Sequence, residues 1–595
     1  MSPRRPAEAA ARTSAFRAKC VFYTLVVLAL FLATRLYIVQ VRDGPKLSAR
    51  AYEQRLETVN YAAHRGTIFD RNGTALVRSL PSQSVYATTH DVVDRRATAR
   101  ALARVLPDRP VASLAAALDS ASPYVQIEHK VTRDQSDLIT KLALPGISIV
   151  PEVTGARFVP AGRLASSVLG FTGFDENGLD GVEYSFDSVL RGSPGKMVLE
   201  ADQFGRGLPF AQPHVVVAAK PGHSLALTLD SYLQFNVERI LREAVHTWRA
   251  ESGSAVVMNP QSGEILALAN TPDYDVRNYS HATPDQRRDR AVMDAYEPGS
   301  TFKLITAAAA LDSGKVTTET QFAARDAISV GGRTIHNAED GFLAGSGSTE
   351  NLEEIIAKSH NVGAAEVGLT IGRKTMYDAM VRFGFGSPTK VGLPGENPGI
   401  LPAVATWSAT SLPTIAFGHG VATTPLALAR AYAAIANGGL LMRPRILSAI
   451  YDGAGRLVYR YRPEIERRAI SKRTAATLRR YLRAVVVRGT GNPTAQIAGY
   501  TTAGKTGTAQ VAENGVYVPG EYIGSFVGYV PAEAPRYVIL VKVARPRGAI
   551  YGGIVAAPAF AEIAKIAMMH AGVLPAGVRL AGRAVRSSSA SKRRL

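Results

Sequence analysis

Hydrophobic and polar positions divide the chain at its start. From Cys20 to Val41 the run "CVFYTLVVLALFLATRLYIVQV" is apolar apart from Arg35 and a few neutral polar residues. That approximates the ~20 residues needed to cross a bilayer as a helix, and Arg35 lies near enough to one end to snorkel. Five basic residues (Arg4, Arg5, Arg12, Arg17, Lys19) precede the run, against one acidic residue, Glu8. No small-residue cleavage pattern closes it, so an uncleaved anchor is expected over 20–41. The basic segment 1–19 is then cytoplasmic and everything beyond about Arg42 lies outside the cell membrane.

Beyond the anchor the pattern changes repeatedly. A short helix is followed by strands around an Asn72–Gly73 turn, and "DRRATARALARVL" has a helical pattern. A fresh start comes at "KPGHSLALTLD", where Leu225, Leu227 and Leu229 alternate as in a strand. In "SYLQFNVERILREAVHTW", Leu233, Val237, Ile240, Leu241, Val245 and Trp248 recur at helical spacing. "GSAVVMNPQSGEILALAN" reads as a hairpin, and "GSFVGYVP", "AEAP" and "RYVILVKVARP" repeat that pattern before a closing helix from Ala557 to His570. Strands at both ends, with helices between and after them, predict an antiparallel sheet covered by helices.

Composition narrows the class. With 595 residues, 46% of them hydrophobic, the chain is long enough for two or more folded units and little of it reads as disordered. The net charge of +20 is spread along the sequence with no zinc-finger or RNP-like pattern, so nucleic acid is not an expected partner. A single cysteine, Cys20, excludes an intramolecular disulfide and a cysteine-based zinc site. No metal site or cofactor is expected. The last stretch, "RAVRSSSASKRRL", reads as a solvated basic tail.

The chemistry concentrates around "EPGSTFKLITAAAALDSG". Ser300 stands three residues before Lys303, at the head of a run of helix formers that reaches Gly314. The S-x-x-K spacing alone says little, since Ser193/Lys196, Ser387/Lys390 and Ser589/Lys592 share it. Only at Ser300 does a buried-type helix follow, placing both residues on one face. As a plain N-cap, Ser300 would be followed three residues on by Glu or Gln, whereas a cation there opposes the helix dipole by ~0.3–1 kcal/mol. The same field, with burial, lowers a lysine's pKa and suits it to act as a base.

Two further triplets follow in order: Ser359-His360-Asn361 ahead of a small-residue helix, and Lys505-Thr506-Gly507 with Thr508, the only Lys-Thr-Gly in the chain. Glycine on a strand admits close backbone approach, while lysine and threonines suit a carboxylate. S-x-x-K, S-x-N and K-T-G in this order form the constellation of penicillin-binding proteins and class A β-lactamases.

On these residues the chain resembles the class B penicillin-binding proteins, the membrane-anchored D,D-transpeptidases of peptidoglycan synthesis. "HRGTIFDRNG" resembles a signature of their N-terminal pedestal, and "LGFTGFDENGLDGVEYSFDSVLRGSPG" its continuation. "RAVMDAYEPGSTFK" and "FGHGVATTPLALARAYAAIANGG" resemble the division-type enzymes, although Ala427 replaces a usual glutamine; elongation-type relatives tend to have proline at Glu297. The resemblance implies an α+β multidomain fold: an anchor, an elongated mixed α/β pedestal (dimerisation-type) domain over 42–218, a β-lactamase-like transpeptidase domain over 219–575, and a tail over 576–595.

It also implies acyl transfer through a covalent intermediate. Ser300 would attack the terminal D-Ala-D-Ala bond with Lys303 as proton acceptor, and Ser359 would relay a proton to the leaving D-alanine. Asn361 would hold the donor peptide's amide and Lys505, Thr506 and Thr508 its carboxylate, with Gly507 between them. The backbone N–H groups of Ser300 and Thr508 would form the oxyanion hole. Implied partners are peptidoglycan stem peptides as donor and acceptor, β-lactams, the membrane, a lipid II polymerase and other division proteins. The rival readings are an elongation-type transpeptidase, a D,D-carboxypeptidase, a serine β-lactamase, and a catalytically idle division scaffold.

Overall fold

A computed structural model describes residues 5–61, 63–80, 82–151, 156–200, 214–338, 348–513 and 515–576. The tail expected over 576–595 therefore lies, beyond its first residue, outside the described residues, as does the Ser589/Lys592 pair. The chain forms two compact units, one from Met1–Ala63 with Ser193–Lys220 and the other from His64–Gly192 with Pro221–Leu595.

In the first unit a long helix, Arg5–Tyr37, runs on into a π-helical turn, Ile38–Arg42. Within Arg12–Arg42 an 18-residue window reaches a mean hydropathy of 2.0 and is not buried within the protein, so its length and apolar character suit a membrane crossing. The short helix Gly44–Glu53 follows. A three-stranded antiparallel sheet of Leu56–Tyr61, Gly195–Glu200 and His214–Val217 completes this unit.

The second unit carries a mixed six-stranded sheet in the order Leu457–Arg460, Leu447–Tyr451, Ser224–Leu227, Ile68–Phe69, Ala75–Leu80, Ala156–Phe158. Residues more than 150 positions apart meet there: Leu225 pairs with Ile68 in parallel, and both are fully buried. The "HRGTIFDRNG" stretch explains the join. Gly66 lies so close to the 223–224 backbone that a methyl group on it would come within 1.9 Å of the His223 carbonyl oxygen. Asp70 accepts hydrogen bonds from the N–H groups of Asn72 and Thr74, both at 2.8 Å, closing the turn into Ala75–Leu80. Its other oxygen accepts from Ser231 Oγ at 2.7 Å.

The second sheet of this unit is antiparallel throughout. Its strands are β1 (Ser252–Met258), β2 (Ile265–Thr271), β3 (Ala503–Glu513), β4 (Val516–Val530) and β5 (Tyr537–Ala544), ordered β2-β1-β5-β4-β3. Ser231–Thr247 and Ala557–His570 pack on one face, with Leu233, Val237, Ile240, Leu241 and Val245 buried as their spacing predicts. Helices α1 (Lys303–Asp312), α2 (Leu352–Lys358) and α3 (Asn361–Ile371) belong to the larger core on the other face. Strand β3 ends the sheet, so part of its backbone is free of a strand partner and faces the turn that carries Ser300.

Candidate active site

The segment around Ser300 departs from the expected single helix. Gly299–Phe302 form a 3-10 turn, and the α-helix begins at Lys303 itself. In a 3-10 turn residues three apart eclipse one another, so Ser300 and Lys303 still share a face. No side-chain cap precedes the turn, so Ser300 is not an ordinary N-cap. The helix stops where glycine predicts: Ser313 caps it and Gly314 follows at φ +71°.

Lys303 is 1% exposed and fully engaged. Its Nζ donates to Asn361 Oδ1 at 2.8 Å, to Ser359 Oγ at 3.2 Å and to the Ser359 carbonyl oxygen. Both acceptors on Ser359 are available because this residue, at the C-terminal end of α2, adopts φ +66°, a left-handed conformation that costs a non-glycine residue about 1–3 kcal/mol. No carboxylate forms an ion pair with Lys303 among the described residues. Burial holds its pKa well below the lysine range, the positive charge of Lys505 lowers it further, and Glu350 opposes both.

Asn361 is fixed from a place no local pattern announces. Asn337 Oδ1 accepts from the N–H groups of Asn361 and Val362, at 2.8 and 3.1 Å, and so serves the N-terminus of α3 from 24 residues upstream. Asn361 Nδ2 donates to the His336 carbonyl at 3.0 Å. Between the two motif residues, His360 Nδ1 meets Glu350 Oε2 at 2.5 Å.

Lys505 and Thr506 lie on β3. Lys505 is fully buried, and its Nζ contacts only the carbonyl and hydroxyl oxygens of Thr506, each at 3.3 Å, among the described residues. Burial lowers its pKa to about 7. Thr506 Oγ1 is held by Thr490 Oγ1 at 2.7 Å, and Thr508 Oγ1 accepts from the Gly552 N–H at 3.3 Å. Gly507 has no room for a side chain: a methyl group would lie 2.5 Å from Ser525 Oγ and 2.8 Å from Thr301 Cγ2. The strand therefore sits directly against the Ser300 turn.

The fold thus brings Lys303, Ser359 and Asn361 into mutual contact, with Lys505 within electrostatic reach. The other S-x-x-K pairs serve elsewhere. Ser193 bridges Lys220 in the first unit, and Lys390 lies exposed in a loop at φ +60°. Asn337, Glu350 and Thr490 were invisible to motif reading because each acts through tertiary contact. A buried amine of lowered pKa, bonded to a serine hydroxyl, suits nucleophilic acyl transfer.

Two family descriptions match along the chain. The penicillin binding protein transpeptidase domain matches residues 253–565, and the penicillin-binding protein dimerisation domain matches residues 60–227. The chain is 34% identical to the peptidoglycan D,D-transpeptidase FtsI of Escherichia coli K12, over 90% of this chain and 89% of the relative. It is 34% identical to stage V sporulation protein D of Bacillus subtilis, over 92% and 85% of the two chains. Among solved structures, penicillin binding protein 3 of Mycobacterium tuberculosis complexed with aztreonam superposes with a TM-score of 0.67 at 30% identity, covering 87% of this chain and 98% of that one. With its dimerisation and transpeptidase domains in that order and, among the described residues, one long apolar helix before them, the chain belongs to the class B penicillin-binding proteins.

Proposed function

We propose that the protein is a serine D,D-transpeptidase that crosslinks peptidoglycan stem peptides at the division septum, anchored by its N-terminal helix with the catalytic unit outside the cytoplasm. The observation that carries this reading is Lys303: a buried amine without a paired carboxylate among the described residues, bonded to a serine and an asparagine 56 and 58 residues away. As a neutral amine, Lys303 keeps two N–H donors for the Ser359 carbonyl and Asn361 Oδ1, and a lone pair for a proton.

Ser300 Oγ attacks the carbonyl of the terminal D-Ala-D-Ala bond while Lys303 takes its proton. Negative charge on the carbonyl oxygen is met by the N–H groups of Ser300 and Thr508. The proton then passes through Ser359 Oγ, 3.2 Å from Lys303 Nζ, to the departing D-alanine nitrogen. Asn361 holds the donor's amide, and Lys505 with Thr506 and Thr508 holds its carboxylate, Gly507 keeping the strand close. An acceptor amine replaces Ser300 on the acyl carbon and closes the crosslink. Covalent capture of penicillin follows from the same attack on a strained amide. The pedestal over 42–218 and the transpeptidase domain over 219–575 serve this enzyme with a lipid II polymerase and other division proteins as partners.

Full-length protein labelled with a fluorescent penicillin tests the assignment. Label on the wild type and none on Ser300→Ala is the expected result, and labelling that survives the substitution overturns the nucleophile. A donor peptide with an amine acceptor should yield the amide. Hydrolysis alone would point to a carboxypeptidase, and fast release of opened penicillin to a β-lactamase. Midcell fluorescence in dividing cells supports the septal role, and protease sensitivity of the catalytic unit from outside the cytoplasm supports the topology.

A further inference from the structure

Glu297 stands three residues before Ser300, and the chemistry above does not use it. Its Oε1 accepts from the Gly420 N–H at 2.8 Å, and the Tyr517 hydroxyl lies 3.2 and 3.0 Å from its two oxygens. A carboxylate offers about four acceptor sites, so capacity remains. The side chain is 13% exposed, at the rim of the site. No lysine or arginine among the described residues forms an ion pair with it; its one titratable neighbour of opposite sign is His419, with Nε2 4.0 Å from Oε2.

His419 does not supply the missing charge. Burial, and then the positive charge of Lys303, lower its pKa to about 4, leaving the imidazole neutral at physiological pH. Its Nδ1 is buried and has no hydrogen-bond partner among the described residues. The loop bearing it is fixed to the nucleophile turn: the Gly299 N–H donates to the Gly418 carbonyl at 3.1 Å. Tyr517 projects from β4 and stands edge-on to the imidazole, with ring centroids 6.2 Å apart. Three segments therefore place a carboxylate, a phenol oxygen and an imidazole together beside Ser300, with no cation among them.

We infer that Glu297, His419 and Tyr517 form the subsite for the ammonium group of the acceptor stem peptide. An ammonium offers only donors, and the unused lone pairs here are only acceptors, with the carboxylate supplying the opposite charge. The inference rests on the transpeptidase reading. In the transfer step the ammonium gives one proton to the Glu297 carboxylate, and the freed lone pair forms the bond to the acyl carbon. The bond from that carbon to Ser300 Oγ breaks, and a second proton passes from the nitrogen through Lys303 to Ser300 Oγ. Glu297 later releases its proton to solvent. Burial raises the Glu297 pKa, which makes it a better proton acceptor than an exposed carboxylate.

The test uses the full-length protein, a thioester donor, and two competing acceptors: glycinamide, which is cationic, and hydroxylamine, which is neutral at physiological pH. Glu297→Gln keeps an acceptor for the Gly420 N–H and removes only the charge. The expected result is a rise of about tenfold in KM for glycinamide, larger than any fall in the acylation rate, with no comparable rise for hydroxylamine. Tyr517→Phe should weaken glycinamide in the same direction by a smaller factor. Equal losses for both acceptors, or an unchanged glycinamide KM, overturn the inference. If the wild type hydrolyses the donor and transfers to neither acceptor, the transpeptidase reading fails instead.

Discussion

Two clusters of buried charge in the same unit follow opposite rules. Near the start of the unit, Arg65 and Glu183, each with a side chain 1% exposed, form an ion pair at 2.6 Å, and Arg65 also reaches Asp187 at 2.6 Å. A third bond runs from Arg65 to the Glu183 carbonyl, and Arg157 takes the remaining Glu183 oxygen at 2.7 Å. At the proposed active site, Lys303 and Lys505 are equally buried, and neither has a carboxylate in an ion pair among the described residues. Arginine stays charged whatever its surroundings, so burial demands partners. Lysine can surrender its proton, so burial without a partner changes its chemistry instead. The first cluster is a network of ion pairs, and the second keeps two buried amines with lowered pKa values, as the proposed mechanism requires.

The largest expected effect comes from removing the amine. Lys303→Met should lower the rate of penicillin acylation by about 10²–10⁴-fold in stopped-flow measurements. Because methionine leaves the Ser359 and Asn361 acceptors without a donor but strands no buried charge, the melting temperature should fall far less than the rate. A collapse in stability would show that Lys303 is structural like Arg65. Arg65→Met should do the reverse, costing up to about 3–5 kcal/mol in denaturant unfolding because Glu183 keeps only Arg157 as an ion-pair partner, while the folded fraction still acylates.

pH separates the clusters further. A lysine with a lowered folded pKa binds fewer protons folded than unfolded, so stability rises with pH between the two values. For Lys505 that window runs from about 7 to the ordinary lysine value near ~10.4. Lys505→Met should flatten that rise, and it should also remove the decline in acylation by carboxylate-bearing penicillins above about 7. A Gly507→Ala change tests whether the lysines depend on strand position. Its methyl group must displace Ser525 or Thr301, and overpacking of this kind costs about 1–3 kcal/mol, read as slower acylation. Smallest of all, Arg239→Ala breaks exposed pairs with Glu243 and Glu562 and should shift stability by less than about 1 kcal/mol, marking the baseline for solvated charge.

Much of the site was legible from spacing. The helix behind Lys303, the Lys-Thr-Gly strand and the flanking hairpins occur where alternation and helical periodicity place them, because burial on one face imposes those periods. What spacing could not reveal was the left-handed Ser359 that turns two oxygens toward Lys303, or Asn337 serving a helix 24 residues away. Both depend on where distant segments meet. The 3-10 turn at Ser300 was hidden for another reason: helix formers support either geometry over a single turn. In the sequence Glu297 marks only a difference between relatives; its hydrogen bonds to Gly420 and Tyr517 exist only in the folded chain.

The six-stranded sheet sets a limit on how this protein can be divided. Ser224–Leu227 is an interior strand, with Leu447–Tyr451 on one side and Ile68–Phe69 on the other. A chain trimmed to begin just before Ser224 would lose three strands and leave that one as an open edge, with Leu225 and Leu227 stripped of half their cover. Such a fragment is expected to associate through the bare edge, so a soluble preparation of the catalytic half would have to retain the segment from His64 onward.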